Sequence, residues 1–172
     1  MRKLTLPLVL AALLVACSPK YDWRDYRSSD APYAVLFPGK PATQTRNINL
    51  DGLEVKLTMA AAEVDGVTFA VGSAQLDDAS KGPQAALAMK TALVRNINGT
   101  VTSDKVTATS SGGKAQTVIE VDAKGAQNGT PMRLIGRFIA KDTRIYQVII
   151  MGHAKNVVDD QVDTFISSFK LN

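Results

Sequence analysis

The stretch LEVKLTM, Leu53 to Met59, alternates apolar and polar residues without a break. On an extended chain Leu53, Val55, Leu57 and Met59 fall on one side, and Glu54, Lys56 and Thr58 on the other. That is the pattern of an antiparallel strand with one face buried and one wet. Asp51-Gly52 precedes it and Asp65-Gly66 follows it, and both residues of each pair tolerate the positive φ that a two-residue hairpin loop requires. VTFAVGSAQL comes next, with Val67, Phe69 and Val71 on one face. Residues 43 to 76 therefore predict a three-stranded meander.

The rest of the chain extends the pattern. PYAVLFPGKP is a short apolar run stopped by Pro38-Gly39 and Pro41, a strand closed by a turn. After the loop Asp77 to Gly82 the period changes. Pro83 suits a first helical turn, and Ala86, Met89, Leu93 and Ile97 recur at helical spacing, with Lys90 and Arg95 left for solvent. Asn98-Gly99 is the expected stop, glycine being the preferred left-handed terminator. Four more strands are expected, near Val101 to Thr109, Gln116 to Ala123, Pro131 to Ala140 and Arg144 to Gly152. Gly112-Gly113, Asn128-Gly129 and Asp142-Thr143 stand at the turns between them. NVVDDQVDTFISSFKL closes the chain as a helix, with Val158, Val162, Phe165, Ile166 and Phe169 on one stripe. Asn156 is placed to cap its start, and Asp159 and Asp160 suit its positive end. IYQVIIM is apolar on both faces, which predicts a central strand covered on both sides. Two helices must bury their stripes and only a sheet offers the area. The expected class is α+β, an antiparallel sheet of about six to eight strands packed by two helices.

The first seventeen residues carry a separate message. Arg2 and Lys3, an apolar run from Leu4 to Leu14 and the small Ala16 describe a secretory signal, too short to span a bilayer as a stable helix. Leu14-Val15-Ala16-Cys17 resembles the box of bacterial lipoproteins. That resemblance implies removal of residues 1–16, acylation (a palmitate-type modification) at Cys17, and a chain held in the cell envelope, facing the periplasm. Ser18, in place of the aspartate that retains such proteins at the inner membrane, favours the outer membrane. The 172 residues less these 16 leave 156, one domain by length, with no second cysteine for a disulfide, thiolate or metal site. The formal charge of +4, less Arg2 and Lys3, is +2, without the concentrated basic stripe of a nucleic-acid binder. Residues 17–30 are expected to be the lipidated cysteine and its tether, with Tyr21, Trp23 and Tyr26 packing on the domain edge, and residues 31–172 to be the domain.

Three segments carry a second resemblance. Trp23 followed by YRSSDAPYAVLFPGKP, the strand RIYQVIIMG, and the closing DTFISSFKL are together similar to Mog1/PsbP-like proteins. The resemblance implies an α/β/α sandwich. Members of that superfamily serve as photosystem subunits, a nuclear-transport factor, and bacterial lipoproteins or chaperones. They offer no catalytic motif to carry over, so a non-enzymatic role is what the resemblance implies.

The chemistry-bearing residues agree with that expectation. His153 is the only histidine and has no serine–carboxylate partners in its neighbourhood. One histidine with carboxylates is a poor zinc set, and a loop and a helix start account for Asp77-Asp78 and Asp159-Asp160. No metal or other cofactor is expected. SSGGK at 110–114 lacks phosphate-loop spacing and reads as a hairpin turn. Asn98-Gly99-Thr100 and Asn128-Gly129-Thr130 read as turns rather than glycosylation sites. One constellation remains. If Asp142-Thr143 is a two-residue loop, Lys141 opposes Arg144, Ile139 opposes Tyr146, Arg137 opposes Val148 and Arg133 opposes Gly152. Arg133, Arg137, Lys141, Arg144 and Tyr146 then share a face with Ile135, Ile139, Val148 and Ile150. Such a face suits an acidic partner segment or an anionic amphiphile; alternatively, the arginine stems simply cover a helix edge. The expected function is a membrane-anchored, non-catalytic binding or assembly module with an envelope protein as partner. The alternative is a carrier of a lipid-like or anionic small molecule between sheet and helix.

Overall fold

The computed structural model describes residues 20–111 and 114–172. The expected signal segment and Cys17 lie outside these residues, as does the Gly112-Gly113 turn. The elements run β1 (Arg24–Arg27), β2 (Tyr33–Phe37), β3 (Ala42–Leu50), β4 (Leu53–Val64), β5 (Val67–Gln75), α1 (Gly82–Asn96), β6 (Thr100–Ser111), β7 (Lys114–Gln127), β8 (Thr130–Lys141), β9 (Arg144–His153), α2 (Asp159–Ser168) and β10 (Lys170–Leu171).

Seven strands form one antiparallel sheet in the order β3-β4-β5-β9-β8-β7-β6. The meander β3-β4-β5 is the one its alternation predicts. At Asp51-Gly52, Asp65-Gly66 and Asn128-Gly129 both loop residues have positive φ, 54° and 90°, 52° and 70°, and 49° and 77°. This is the twist-matched turn that favours Asn-Gly and Asp-Gly. β9 is the middle strand of the seven. Its Ile145 and Ile149 enter a core beneath α1, while Tyr146, Val148 and Ile150 enter a second core on the opposite face.

Two layers cover this sheet. α1 seals one face through Ala85, Ala86 and Met89 against Leu134, Phe138 and Ile149. On the other face lies α2, with Val162 and Phe165 buried, and beside it a small sheet that the sequence reading did not separate, ordered β1-β2-β10. β2 joins it because YAVLF alternates, sending Tyr33, Val35 and Phe37 inward. The molecule is thus an α+β sandwich with the second layer part helix and part sheet.

Aromatic residues concentrate on the α2 side. Tyr21 and Trp23 stack with ring centres 6.1 Å apart, and Trp23 meets Phe69 edge-on at 6.2 Å. Phe69 contacts Phe165, which contacts Phe37, then Tyr26, Tyr33 and Phe169, and the run ends at Tyr146. Offset and edge-to-face pairs of this kind add stability beyond burial alone. The packing of Tyr21, Trp23 and Tyr26 on the domain is as the sequence suggested.

Several boundaries differ from expectation. The domain does not begin at residue 31. β1 pairs with β2 from Arg24↔Phe37 to Arg27↔Ala34, the Asp22 N–H donates to the Pro38 carbonyl at 3.1 Å, and Lys20 forms an ion pair with Asp65. Lys90 is not left to solvent. It lies across to β6, pairs with Asp104 and keeps only 12% of its side chain exposed. Asn98, at φ 48°, is the left-handed terminator of α1. Gly99 is instead crowded: a Cβ there would sit 2.9 Å from the Ile97 side chain and 3.0 Å from the Val94 carbonyl. Asn156 does not cap α2. Its amide donates to the Asp65 carbonyl at 2.8 Å, tying the β9–α2 connection to the β4–β5 turn. In consequence Val157 takes the buried position while Val158 is 46% exposed.

Candidate functional site

The β8–β9 hairpin has the expected loop, with Asp142 at φ 52°. Its register is the predicted one: Lys141↔Arg144, Ile139↔Tyr146, Arg137↔Val148 and Arg133↔Gly152. Arg133, Arg137, Lys141, Arg144 and Tyr146 therefore do share the α2 face of the sheet. Their surroundings then separate them.

Arg133 is enclosed by carboxylates. Its Nε and Nη2 donate to the two oxygens of Asp122 at 3.2 and 2.8 Å, and its Nη1 donates to Asp159 at 2.7 Å. Those partners, Asp122 foremost, raise the guanidinium's proton affinity further above its ordinary value. Arg133 thus ties β7 and β8 to the first turn of α2. Arg137 donates through Nε and Nη2 to Glu120 Oε1 at 3.1 and 2.8 Å. Tyr146 is 2% exposed, between Tyr33 and Phe169, and burial raises its phenol pKa. Lys141 and Arg144 are half-buried and have no salt bridge among the described residues.

These residues surround an open groove because α2 and β10 cover only part of the face. One section, about 440 Å³, has Val118 and Ile139 as floor, Phe169 and Leu171 as one wall, and the Arg137–Glu120 pair and Lys141 on its rim. A second section, about 310 Å³, continues past Leu171 to the hairpin end at Asp142, Arg144 and Tyr146. Both sections share Lys141 and Leu171. Arg133 lines neither section, being held under α2.

The sequence reading missed Val118, Glu120, Phe169 and Leu171 as neighbours of this face. The Asn128-Gly129 loop carries the same arithmetic as Asp142-Thr143 and places Glu120 opposite Arg137, which is the observed pairing. Leu171 had no comparable signal, since a two-residue strand has no periodicity to read.

Elsewhere the sheet–helix interfaces are filled. Phe138 and Leu134 under α1, and Phe37, Phe69 and Phe165 under α2, have at most 1% exposure. Three other open grooves lie on the α1 side, about 420 Å³ between Asn49–Asp51 and α1, about 230 Å³ between Leu50–Leu53 and the start of α1, and about 390 Å³ along Ile48, Leu57 and Met59. His153 is exposed. Among the described residues no three of His, Cys, Asp and Glu gather to hold a metal. Asp78 accepts from the Ser80 N–H at 2.9 Å, and hydrogen bonding by Ser80 holds its carboxyl below the usual range. No helix among the described residues is long and apolar enough to cross a membrane.

No family model matches this chain, and no curated protein matches it by sequence. Among solved structures it is similar to the cyanobacterial PsbP (CyanoP) of Synechocystis sp. PCC 6803, at 9% identity and a TM-score of 0.55, covering 91% of this chain and 96% of that one. A Pseudomonas aeruginosa protein of unknown function, PA94, aligns at 13% identity over 81% of this chain and 89% of its own, with a TM-score of 0.34. Meander, first helix, four strands and closing helix, with both faces of the sheet covered, make this a PsbP-like fold.

Proposed function

We propose that this protein is a lipid-anchored module of the bacterial envelope, facing the periplasm, that works by binding another protein rather than by catalysis. The observation that carries the reading is the contrast between closed interiors and open surface. Beneath both helices the sheet is packed with side chains, and the spaces beside them are open grooves rather than an enclosing chamber for a carried lipid or small molecule, while the groove past Leu171 carries two cations without a salt bridge among the described residues. Carriers enclose most of their ligand in a concave apolar pocket. The sequence Leu14-Val15-Ala16-Cys17 supports the anchor, and Ser18 favours the outer membrane. Two or more acyl chains hold firmly where one would not, since each buried methylene contributes about 0.8 kcal/mol.

Fractionation of cells expressing the native chain and Cys17→Ser tests the anchor. The native chain is expected in the membrane fraction and the variant in the soluble one; a variant found quantitatively in membranes would refute the anchor. Cross-linking in intact cells, followed by identification of the adduct, tests the partner.

A further inference from the structure

We infer that the groove beside β10 receives an extended acidic segment of the partner protein, added as a new strand to the open edge of β10. The inference rests on the proposal above, and three observations fix the occupant's chemistry.

The first is an unused backbone edge. β10 is the outer strand of the order β1-β2-β10. The Asn172 N–H donates to the Pro32 carbonyl at 3.0 Å, and Lys170 pairs with Ala34. In an antiparallel ladder alternate residues face alternate neighbours. The N–H and C=O of Leu171 therefore turn away from β2 and toward the groove. An added strand satisfies such groups and contributes affinity through the main chain.

The second is charge. Arg137 is neutralised by Glu120, but Lys141 and Arg144 have no carboxylate partner among the described residues. Asp142, exposed at the turn, is the acid beside them. The rim side chains that an entering chain meets, Lys141 and Arg144 against Asp142, are thus net basic, while the floor of Val118 and Ile139 and the wall of Phe169 and Leu171 are apolar. A strand alternating acidic and apolar residues sends one set to the rim and the other to the floor.

The third is position. The chain enters the domain at Lys20, paired to Asp65 at one end of the sheet. The groove runs from mid-strand to the Asp142 turn at the other. The ten residues of β9 separate these ends by about 30 Å. A membrane held by Cys17 lies at the Asp65 end, so a protein segment rather than that lipid surface is the occupant this placement favours.

The test uses the full chain in non-ionic detergent and a fluorescein-labelled peptide of about six residues, alternating Glu or Asp with Leu, long enough to span ~20 Å. Anisotropy is expected to report binding that weakens as salt rises, and no binding of the same peptide with Lys for each acid. Lys141→Glu with Arg144→Glu is expected to weaken binding by roughly tenfold or more. The equal charge change Lys81→Glu with Arg95→Glu, just before α1 and in its last turn, is expected to leave it unaltered. Hydrogen exchange on the native chain needs no variant: the Leu171 amide should slow when peptide is added. The inference is overturned if the acidic peptide does not bind, if both double variants lose binding alike, if Leu171 exchange is unmoved, or if phosphatidylglycerol-doped micelles displace the peptide. The last result would assign the groove to a lipid headgroup. Failed peptide binding with a membrane-bound native chain rejects the groove alone, whereas a Cys17→Ser chain that stays in membranes yet binds peptide rejects only the anchor.

Discussion

At the scale of single residues, the arginines show how little a shared face says about a shared role. Arg133 and Arg137 stand where the hairpin register puts them, yet both are matched by carboxylates of β7. Lys141 and Arg144, the pair nearest the turn, are the cations of this face that have no salt bridge among the described residues. Two buried polar groups yield stability predictions. Among the described residues Ser73 Oγ is the one buried side-chain polar atom without a hydrogen-bond partner. An unpaired buried hydroxyl costs free energy that an apolar side chain does not. Ser73→Ala is therefore expected to raise stability, by up to about 1 kcal/mol, read as a shifted urea midpoint. Tyr33 has its phenol pKa raised from 10.0, first by burial and then by Tyr26, and Tyr146 is raised by burial as well. Above pH 10 the unfolded chain loses these protons while the folded one keeps them, so stability is full below pH 10 and falls as pH rises beyond it. Tyr33→Phe should flatten that alkaline decline, measured by urea unfolding from pH 8 to 11.

At the scale of elements, α2 and the α1–β6 junction depend on close contacts that the hydrophobic pattern only outlines. Phe165 has no exposure and meets Phe37 and Phe69 at ring distances of 5.5 and 5.4 Å. Phe165→Ala is expected to cost about 3–5 kcal/mol and to loosen α2 from the sheet. Urea unfolding followed by the emission of Trp23, which also packs on Phe69, would report both effects. At the junction, a Cβ on Gly125 would sit 2.1 Å from the Ile97 carbonyl, which itself accepts from the Ala126 N–H at 2.8 Å. Gly125→Ala must push the turn after α1 away and is expected to cost about 1–3 kcal/mol by the same measurement. The helix boundaries were less legible than the strands. Asn156 has the right chemistry for a cap, but the β4–β5 turn claims its amide, and no local pattern reveals a bond between residues 91 positions apart.

At the scale of the whole molecule, the early start of the domain changes how it stands on a membrane. Residues 17–30 were expected to be the lipidated cysteine and its tether, with their aromatic residues on the domain edge. With Lys20 already held at Asp65, only the three steps from Cys17 remain, a reach of about 11 Å at most. If Cys17 carries lipid as proposed, the Asp65 end stays near the bilayer and the Asp142 end projects from it. Glu63, beside the first end, and Asp77, at the second, are both exposed. A donor dye on Glu63→Cys is expected to transfer energy to a lipid-borne acceptor much more strongly than one on Asp77→Cys in reconstituted vesicles. Equal transfer from the two sites would show that the domain swings freely.

The sequence by itself determined the strands of the meander, the two-residue hairpins, the central place of β9 and the register of β8 against β9. These follow from period-two alternation and from loop residues that accept positive φ, both local properties of the chain. The tertiary structure alone decided that β1, β2 and β10 leave the main sheet to form a second one, and that Asp159 of α2 closes over Arg133. It also decided that a groove opens beside Leu171. Each of these joins segments far apart in the chain, as when Ser168 Oγ accepts the Leu36 N–H. Which segments meet is settled by gathering nine of the ten aromatic rings on one face, six of them buried, a collective choice that no single stretch encodes.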